Sequence, residues 1–217
     1  MKKVAVILSG SGVFDGAEIH ETVISLLALS RAGAEYQCFA PNIAQHHVVN
    51  HLTGEVTETE QRNVLVEAAR IARGEIQDVA QLNAADFDAL LLPGGFGAAK
   101  NLSDFAFKGA ECQVDANVLK ACQAFATAGK VAAYLCISPI LIPQVYGHGA
   151  KGTIGTDSET AKAFNQLGGE HQACAVTEIC VDQERKVIST PAYMLAENIA
   201  EAAVGIEKAV DQLLAMA

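Results

Sequence analysis

Cys136 lies between two apolar runs, Val131–Leu135 and Ile140–Ile142, with Ile137-Ser138-Pro139 separating them. The first run is short, follows Gly129-Lys130, and is built of residues that suit a strand buried on both faces. Serine directly before proline predicts a helix start, with Ser138 as N-cap and Pro139 in the first turn. A cysteine at such a strand-to-helix corner is held at the carboxyl edge of a sheet, under the free N–H groups of the next helix. That is the arrangement of a nucleophile elbow, and the chemistry it predicts is thiolate attack on an electrophilic carbon.

A thiolate needs a neighbouring acid or base. Helical spacing places Glu21 on one face with Ala17, Ile24 and Ala28, whereas Glu18 shares its face with Thr22 and Ser25. Glu21 is therefore predicted to face inward, hold its proton more tightly than in water, and hydrogen-bond to the sulfur. Pro93-Gly94-Gly95 follows a buried strand, at the edge where open α/β sheets bind ligands, and glycines let backbone N–H groups approach a reacting atom. Gly94 and Gly95 thus predict an oxyanion cradle. A tight turn without chemistry is the alternative on spacing alone.

The elements that must position these groups alternate along the chain. Strands are predicted at Lys3–Leu8, Glu35–Ala40, Asp88–Leu92 and Val131–Leu135, with strand-like pieces at Ile179–Val181 and Val187–Ser189. Helices are predicted over Ala17–Arg31, Glu60–Arg73, Ala116–Ala128, Ser158–Leu167 and Leu195–Leu214, and Asn42–Glu60 reads as an excursion from the sheet. This alternation predicts an α/β fold with a mostly parallel sheet covered on both faces. No repeat, low-complexity tract or linker divides the chain, so residues 1–217 read as one domain.

Composition and charge narrow the function. The 217 residues are 51% hydrophobic but only 6% aromatic, enough for a core of Ala, Val, Ile and Leu. A net charge of −10 disfavours nucleic acid or an anionic membrane as partner. No apolar run approaches a membrane span or a signal peptide's apolar region, and the expected location is cytoplasmic. The six cysteines have no Cys-x-x-Cys spacing, so neither a disulfide framework nor zinc is predicted.

Two glycine-rich loops imitate nucleotide sites without matching them. In Gly10-Ser11-Gly12-Val13-Phe14-Asp15-Gly16 the third glycine is one residue late for a dinucleotide fingerprint, and the second strand ends in Phe39-Ala40-Pro41 rather than an acidic ribose anchor. The loop from Gly94 to Asn101 lacks the glycine before and the hydroxyl after the lysine of a phosphate loop. His46, His47 and His51 lie in a β-branched run and predict no metal site, His148 and His171 fall in loop-like stretches, and His20 points away from Glu21. Asp157 is predicted as a helix N-cap. No cofactor or metal is expected.

Three motifs in order, Gly16–Val23, Leu92–Gly95 with Asn101-Leu102-Ser103, and Cys136–Pro139, make the chain resemble the ThiJ/PfpI superfamily of class I glutamine amidotransferase-like proteins. Asn50–Glu55, Arg62–Leu65, Thr153–Asp157 and Thr190–Met194 resemble its enhancing-lycopene-biosynthesis branch, also called isoprenoid-biosynthesis glyoxalase. The resemblance implies a flavodoxin-like three-layer sandwich, a homodimer, Cys136 as nucleophile, Glu21 as its acid partner, and Gly95 and Ile137 N–H groups as oxyanion donors. It also implies glyoxalase or deglycase activity on small dicarbonyls, with Glu21 shuttling the proton between the two carbons. Superfamily hydrolases carry a histidine on the strand that here reads Gly152-Thr153-Ile154-Gly155, so the resemblance implies weak turnover and no protease activity. The alternative expectation is a non-catalytic redox sensor or binding protein with an oxidisable Cys136. A glutaminase elbow would need glycine two residues after the cysteine and glutamine next, where this chain has Ser138 and Pro139.

Overall fold

The computed structural model describes all 217 residues. Its strands are β1 (Lys3–Ile7), β2 (Glu35–Ala40), β3 (Val49–Asn50), β4 (Glu55–Val56), β5 (Ile76–Asp78), β6 (Ala89–Leu92), β7 (Val131–Leu135), β8 (Lys151–Gly152), β9 (Glu170–His171), β10 (Cys180–Asp182) and β11 (Val187–Thr190). The helices are α1 (Ile19–Arg31), α2 (Val64–Ile71), α3 (Phe96–Lys100), α4 (Phe105–Lys108), α5 (Ala116–Thr127), α6 (Ile142–Tyr146), α7 (Ser158–Gln166) and α8 (Ile199–Met216). Seven strands form one sheet in the order β10-β11-β7-β6-β1-β2-β5, parallel throughout except for β10, which pairs antiparallel with β11. The expected flavodoxin-like sandwich is the observed fold.

The central strands are apolar on both sides because both sides are covered. Val4, Val6, Leu91 and Ala133 pack with Leu29 of α1, Ala68 of α2 and Ile206 of α8. The intervening Ala5, Ile7, Leu90 and Tyr134 pack with Val118 and Phe125 of α5 and with α6. This period of two assigns each strand residue to one of two cores, and it fixes the register that aligns the strand ends. Those carboxyl ends carry the loops at 8–18, 93–95, 136–138 and 191–198.

Several boundaries move for local reasons. α1 begins two residues later than predicted because the Glu18 side chain accepts the Glu21 N–H at 2.6 Å and so caps the helix. α2 begins at Val64 rather than Glu60, capped by Asn63, and α8 begins at Ile199 rather than Leu195, capped by Asn198. Ser138 is not an N-cap. A 3-10 turn, Ser138–Leu141, precedes α6, and the Ser138 hydroxyl accepts the Leu135 N–H and donates to Leu92 O, both at 2.9 Å. It thereby ties the end of β7 to the end of β6. His171 stands in β9 rather than a loop, and its Nε2 accepts the Ile154 N–H at 3.3 Å.

Candidate active site

β7 delivers Cys136 to the sheet edge in a constrained shape. The Cys136 N–H still donates to Thr190 O at 2.9 Å, as in the ladder, but its φ is 61°, in the left-handed region that a non-glycine residue adopts only at a cost of about 1–2 kcal/mol. That reversal turns the side chain from the sheet toward α1 and the loop after β6. Cys136 is only 7% exposed and Glu21 is fully buried.

Glu21 is held from three directions. Its Oε2 accepts the Gly94 N–H at 2.8 Å, its Oε1 accepts the Tyr193 N–H at 3.2 Å, and its carboxyl stands beside the Cys136 side chain. The N–H groups of Gly95 and Ile137 border the sulfur and favour its charged form. Glu21, Cys136, Gly95 and Ile137 are therefore brought together at one place. Gly94 is a correction: its N–H is engaged by Glu21, so it positions the acid and offers no donor to an oxyanion. Its lack of a side chain still matters, since a Cβ on Gly94 would lie 2.9 Å from both Cys136 Sγ and Glu21 Oε2.

Burial sets the protonation of this pair. It lifts the Glu21 carboxyl from 4.5 to about 7, opposed by the Gly94 and Tyr193 N–H groups, and it lifts the Cys136 thiol well above its ordinary value, reinforced by the Glu21 charge. Two adjacent buried groups of like charge titrate as a unit, so above about pH 7 the pair holds one proton between them. The same shift links pH to stability. The unfolded chain releases the Glu21 proton near 4.5 and the folded chain near 7, so this contribution is full below 4.5 and is lost as pH rises through 7. From those two values it amounts to on the order of 3 kcal/mol. In urea titrations at pH 5 and pH 8, wild-type protein should lose that much relative to Glu21→Gln, which has no such titration. Parallel pH profiles for the two proteins would contradict the shift.

A cavity of about 270 Å³ opens onto the cysteine, bounded by Cys136, Gly95 and Ile137 and walled by Phe96, Phe105 and Met194. Tyr193 also lines it, and its hydroxyl is 2.8 Å from His20 Nδ1. Glu21 is not among the lining residues. Neither Tyr193 nor Met194 carries a chemical signal in sequence beyond its place in the Thr190–Met194 motif, and His20, expected to point away from Glu21, reaches the site through the Tyr193 hydroxyl. A larger hollow of about 330 Å³ lies among Lys3, Gln37, Gln77 and Asp86, and no cysteine lines it.

The other candidates serve the frame. Asp15 accepts the Val49 N–H at 2.7 Å and lies 3.8 Å from His51, anchoring the β3-β4 hairpin to the glycine loop. Asn101 donates to Ser9 O and Asp15 O, both at 2.9 Å, locking that loop to α3. Asp157 caps α7 through the Thr160 N–H, as predicted.

No protein-family model matches the chain. A human protein, glutamine amidotransferase-like class 1 domain-containing protein 3, mitochondrial, is 48% identical over 201 residues, covering 88% of this chain and 75% of its own. The crystal structure of an isoprenoid biosynthesis protein with an amidotransferase-like domain from Ehrlichia chaffeensis superimposes with a TM-score of 0.93 at 35% identity, over 100% of this chain and 99% of its own. DJ-1beta from Drosophila melanogaster shares the fold, with a TM-score of 0.52 at 21% identity over 100% and 99% of the two chains. The human relative's mitochondrial name overturns the expected cytoplasmic location. A net charge of −10 and short apolar runs describe a surface and a core suited to water, and they do not distinguish one aqueous compartment from another.

Proposed function

Because the chain belongs to the ThiJ/PfpI superfamily, in the branch of the isoprenoid biosynthesis and glutamine amidotransferase-like class 1 proteins, we propose that it is a cofactor-independent glyoxalase that converts a 2-oxoaldehyde to a 2-hydroxy acid. The observation that carries this reading is the Cys136 sulfur, set beside the buried Glu21 carboxyl at a strand end and bordering a cavity that Gly95 and Ile137 also line. Its setting is the mitochondrial one of the human relative. A homodimer belongs to the same reading, supported by the outer face of α1, where Ile19, Val23 and Leu27 recur every fourth residue and all stay exposed.

The chemistry follows from the positions. The sulfur adds to the aldehyde carbon while the proton it shares with Glu21 passes to the carboxyl, so thiolate character arises only as the bond forms. The aldehyde oxygen becomes an oxyanion beside the Gly95 and Ile137 N–H groups and then takes the proton back, giving a hemithioacetal. A proton next moves from the former aldehyde carbon to its neighbour and the hydroxyl proton passes to the neighbouring oxygen, leaving a 2-hydroxy thioester, and water cleaves the thioester to a 2-hydroxy acid and regenerates the thiol. The sum is addition of one water, with no oxidant or reductant.

Glu21 is held by the Gly94 and Tyr193 N–H groups and serves the thiol proton, so in this reading Tyr193 and His20 share the carbon-to-carbon transfer that the resemblance gives to Glu21. Tyr193 lines the cavity, and His20, hydrogen-bonded to its hydroxyl, can pass a proton through it. Metal-free protein without glutathione should convert methylglyoxal to lactate, read by proton NMR. Tyr193→Phe and His20→Gln should each lower kcat about 10–100-fold with little change in KM, and the double variant should be no worse than either alone. Lactate formation that leaves kcat unchanged in both variants would remove the relay; no lactate at all would remove the glyoxalase reading.

A further inference from the structure

The cavity against Cys136 is larger and drier than a small dicarbonyl requires. Its volume is about 270 Å³, which is the share of roughly nine waters at about 30 Å³ each. Glyoxal has four heavy atoms, so it fills a minor part of that space. An apolar cavity of about 150 Å³ already accommodates benzene in another protein.

The walls have a matching character. Beyond Cys136, Gly95 and Ile137 the apolar walls are Val13, Phe96, Ala99, Phe105 and Met194, with Ala106 at the exposed margin. The polar side chains are Tyr193, whose hydroxyl is bonded to His20, and Thr160. No carboxylate, ammonium or guanidinium lines the cavity. A charged substituent entering it would lose its hydration without an ionic partner, whereas an apolar one would exchange water for aromatic and thioether surface.

We propose that the substrate of the Cys136 site is an uncharged 2-oxoaldehyde whose substituent is apolar and about the size of a phenyl ring or a five-carbon chain. This rests on the glyoxalase reading and names its substrate class. The reaction is unchanged: R–CO–CHO and one water give R–CHOH–COOH, with R held against Phe96, Phe105 and Met194 and the aldehyde carbon at the sulfur. Glyoxal and methylglyoxal are then minimal substrates that leave most of the cavity unfilled. Charged adducts on protein side chains fit it poorly, which separates this site from a deglycase.

The test compares kcat/KM of the metal-free full chain, without glutathione, for glyoxal, methylglyoxal, pentylglyoxal, phenylglyoxal and the carboxylate-bearing 4,5-dioxopentanoate. Pentylglyoxal and phenylglyoxal should exceed methylglyoxal by about 10–100-fold, chiefly through lower KM, and 4,5-dioxopentanoate should not exceed it. Ala106→Trp, which narrows the cavity from its exposed margin, should lower the phenylglyoxal-to-glyoxal ratio of kcat/KM at least about 10-fold. Values for pentylglyoxal and phenylglyoxal equal to or below that of glyoxal, with glyoxal still consumed, would overturn the substrate class and leave the glyoxalase reading in place. Consumption of none of the five would overturn both.

Discussion

Cys136→Ala should reduce dicarbonyl consumption by at least about 10⁴-fold, the scale on which removal of a covalent nucleophile acts. Nothing else in the cavity can replace it, because the remaining wall is apolar apart from Tyr193 and Thr160. The fold should survive. Alanine meets the same backbone demand at φ 61°, and the lost atom is one sulfur at a site that is 7% exposed. Thermal melts should therefore shift by no more than about 4 °C. Cys136→Gly sharpens the point: glycine accepts the left-handed turn without the roughly 1–2 kcal/mol that a side chain costs there, so it should be equally inactive yet more stable than Cys136→Ala. Side-by-side turnover assays and melts measure both. Activity above about 1% of wild type in Cys136→Ala would show that the sulfur is not the nucleophile.

The second large effect concerns a residue with no side chain. Gly95 sits at φ 91° and ψ 157°, and a Cβ there would overlap Glu18 N and Gly16 O and lie 2.9 Å from Ala17 C. These are backbone atoms of the segment entering α1, held by Glu18 N–H to Gly94 O at 3.0 Å and Gly97 N–H to Gly16 O at 2.9 Å, so they cannot swing aside as a side chain could. Gly95→Ala should cost about 3 kcal/mol or more, which lowers the melting temperature of a chain this size by about 6–12 °C. Turnover should fall at least about 10²-fold even below the melt, because the displaced segment carries Glu21 away from Cys136 and the Gly95 N–H away from the reacting carbon. Gly129→Ala is the control: its φ is 64° and nothing stands within 4 Å of the added carbon, so the cost should be only about 1–2 kcal/mol. Equal melting temperatures for the two variants would show that the close approach at Gly95 carries no weight.

Most of the frame could be read from local patterns. Val131–Leu135, Ala89–Leu92 and Lys3–Ile7 are apolar runs short enough to be buried strands, and all three lie side by side in the sheet. Glu21 could be placed inward from helical spacing because α1 has one face against the sheet and α8, and that face includes position 21. Burial of Glu18, Thr22 and Ser25 was less legible. The Glu18 carboxylate turns back to cap its own helix, and the two hydroxyls donate to carbonyls four residues earlier, at 2.7 Å each, so these polar groups satisfy themselves locally and can be buried.

What the amino-acid sequence determined by itself was the class of fold, the strand-turn corner at Cys136, and the identity of its acid partner. These depend on periodicity and on residues near in the chain, which act through backbone geometry and the burial of one face. Tertiary structure decided the rest. The dyad and cavity are assembled from α1, α3, α4, α7 and the ends of β6, β7 and β11, with Gly94 and Glu21 separated by 73 positions and His20 and Tyr193 by 173. Whether the Gly94 N–H faces an acid or an oxyanion, whether Ser138 caps a helix or ties two strands, and whether His20 meets a tyrosine are matters of which orphan donor finds which acceptor once the sheet has brought its strand ends together. The apolar walls around the sulfur arise in the same way: each residue there is an ordinary hydrophobe in sequence, and only their convergence on one reactive atom makes them a site.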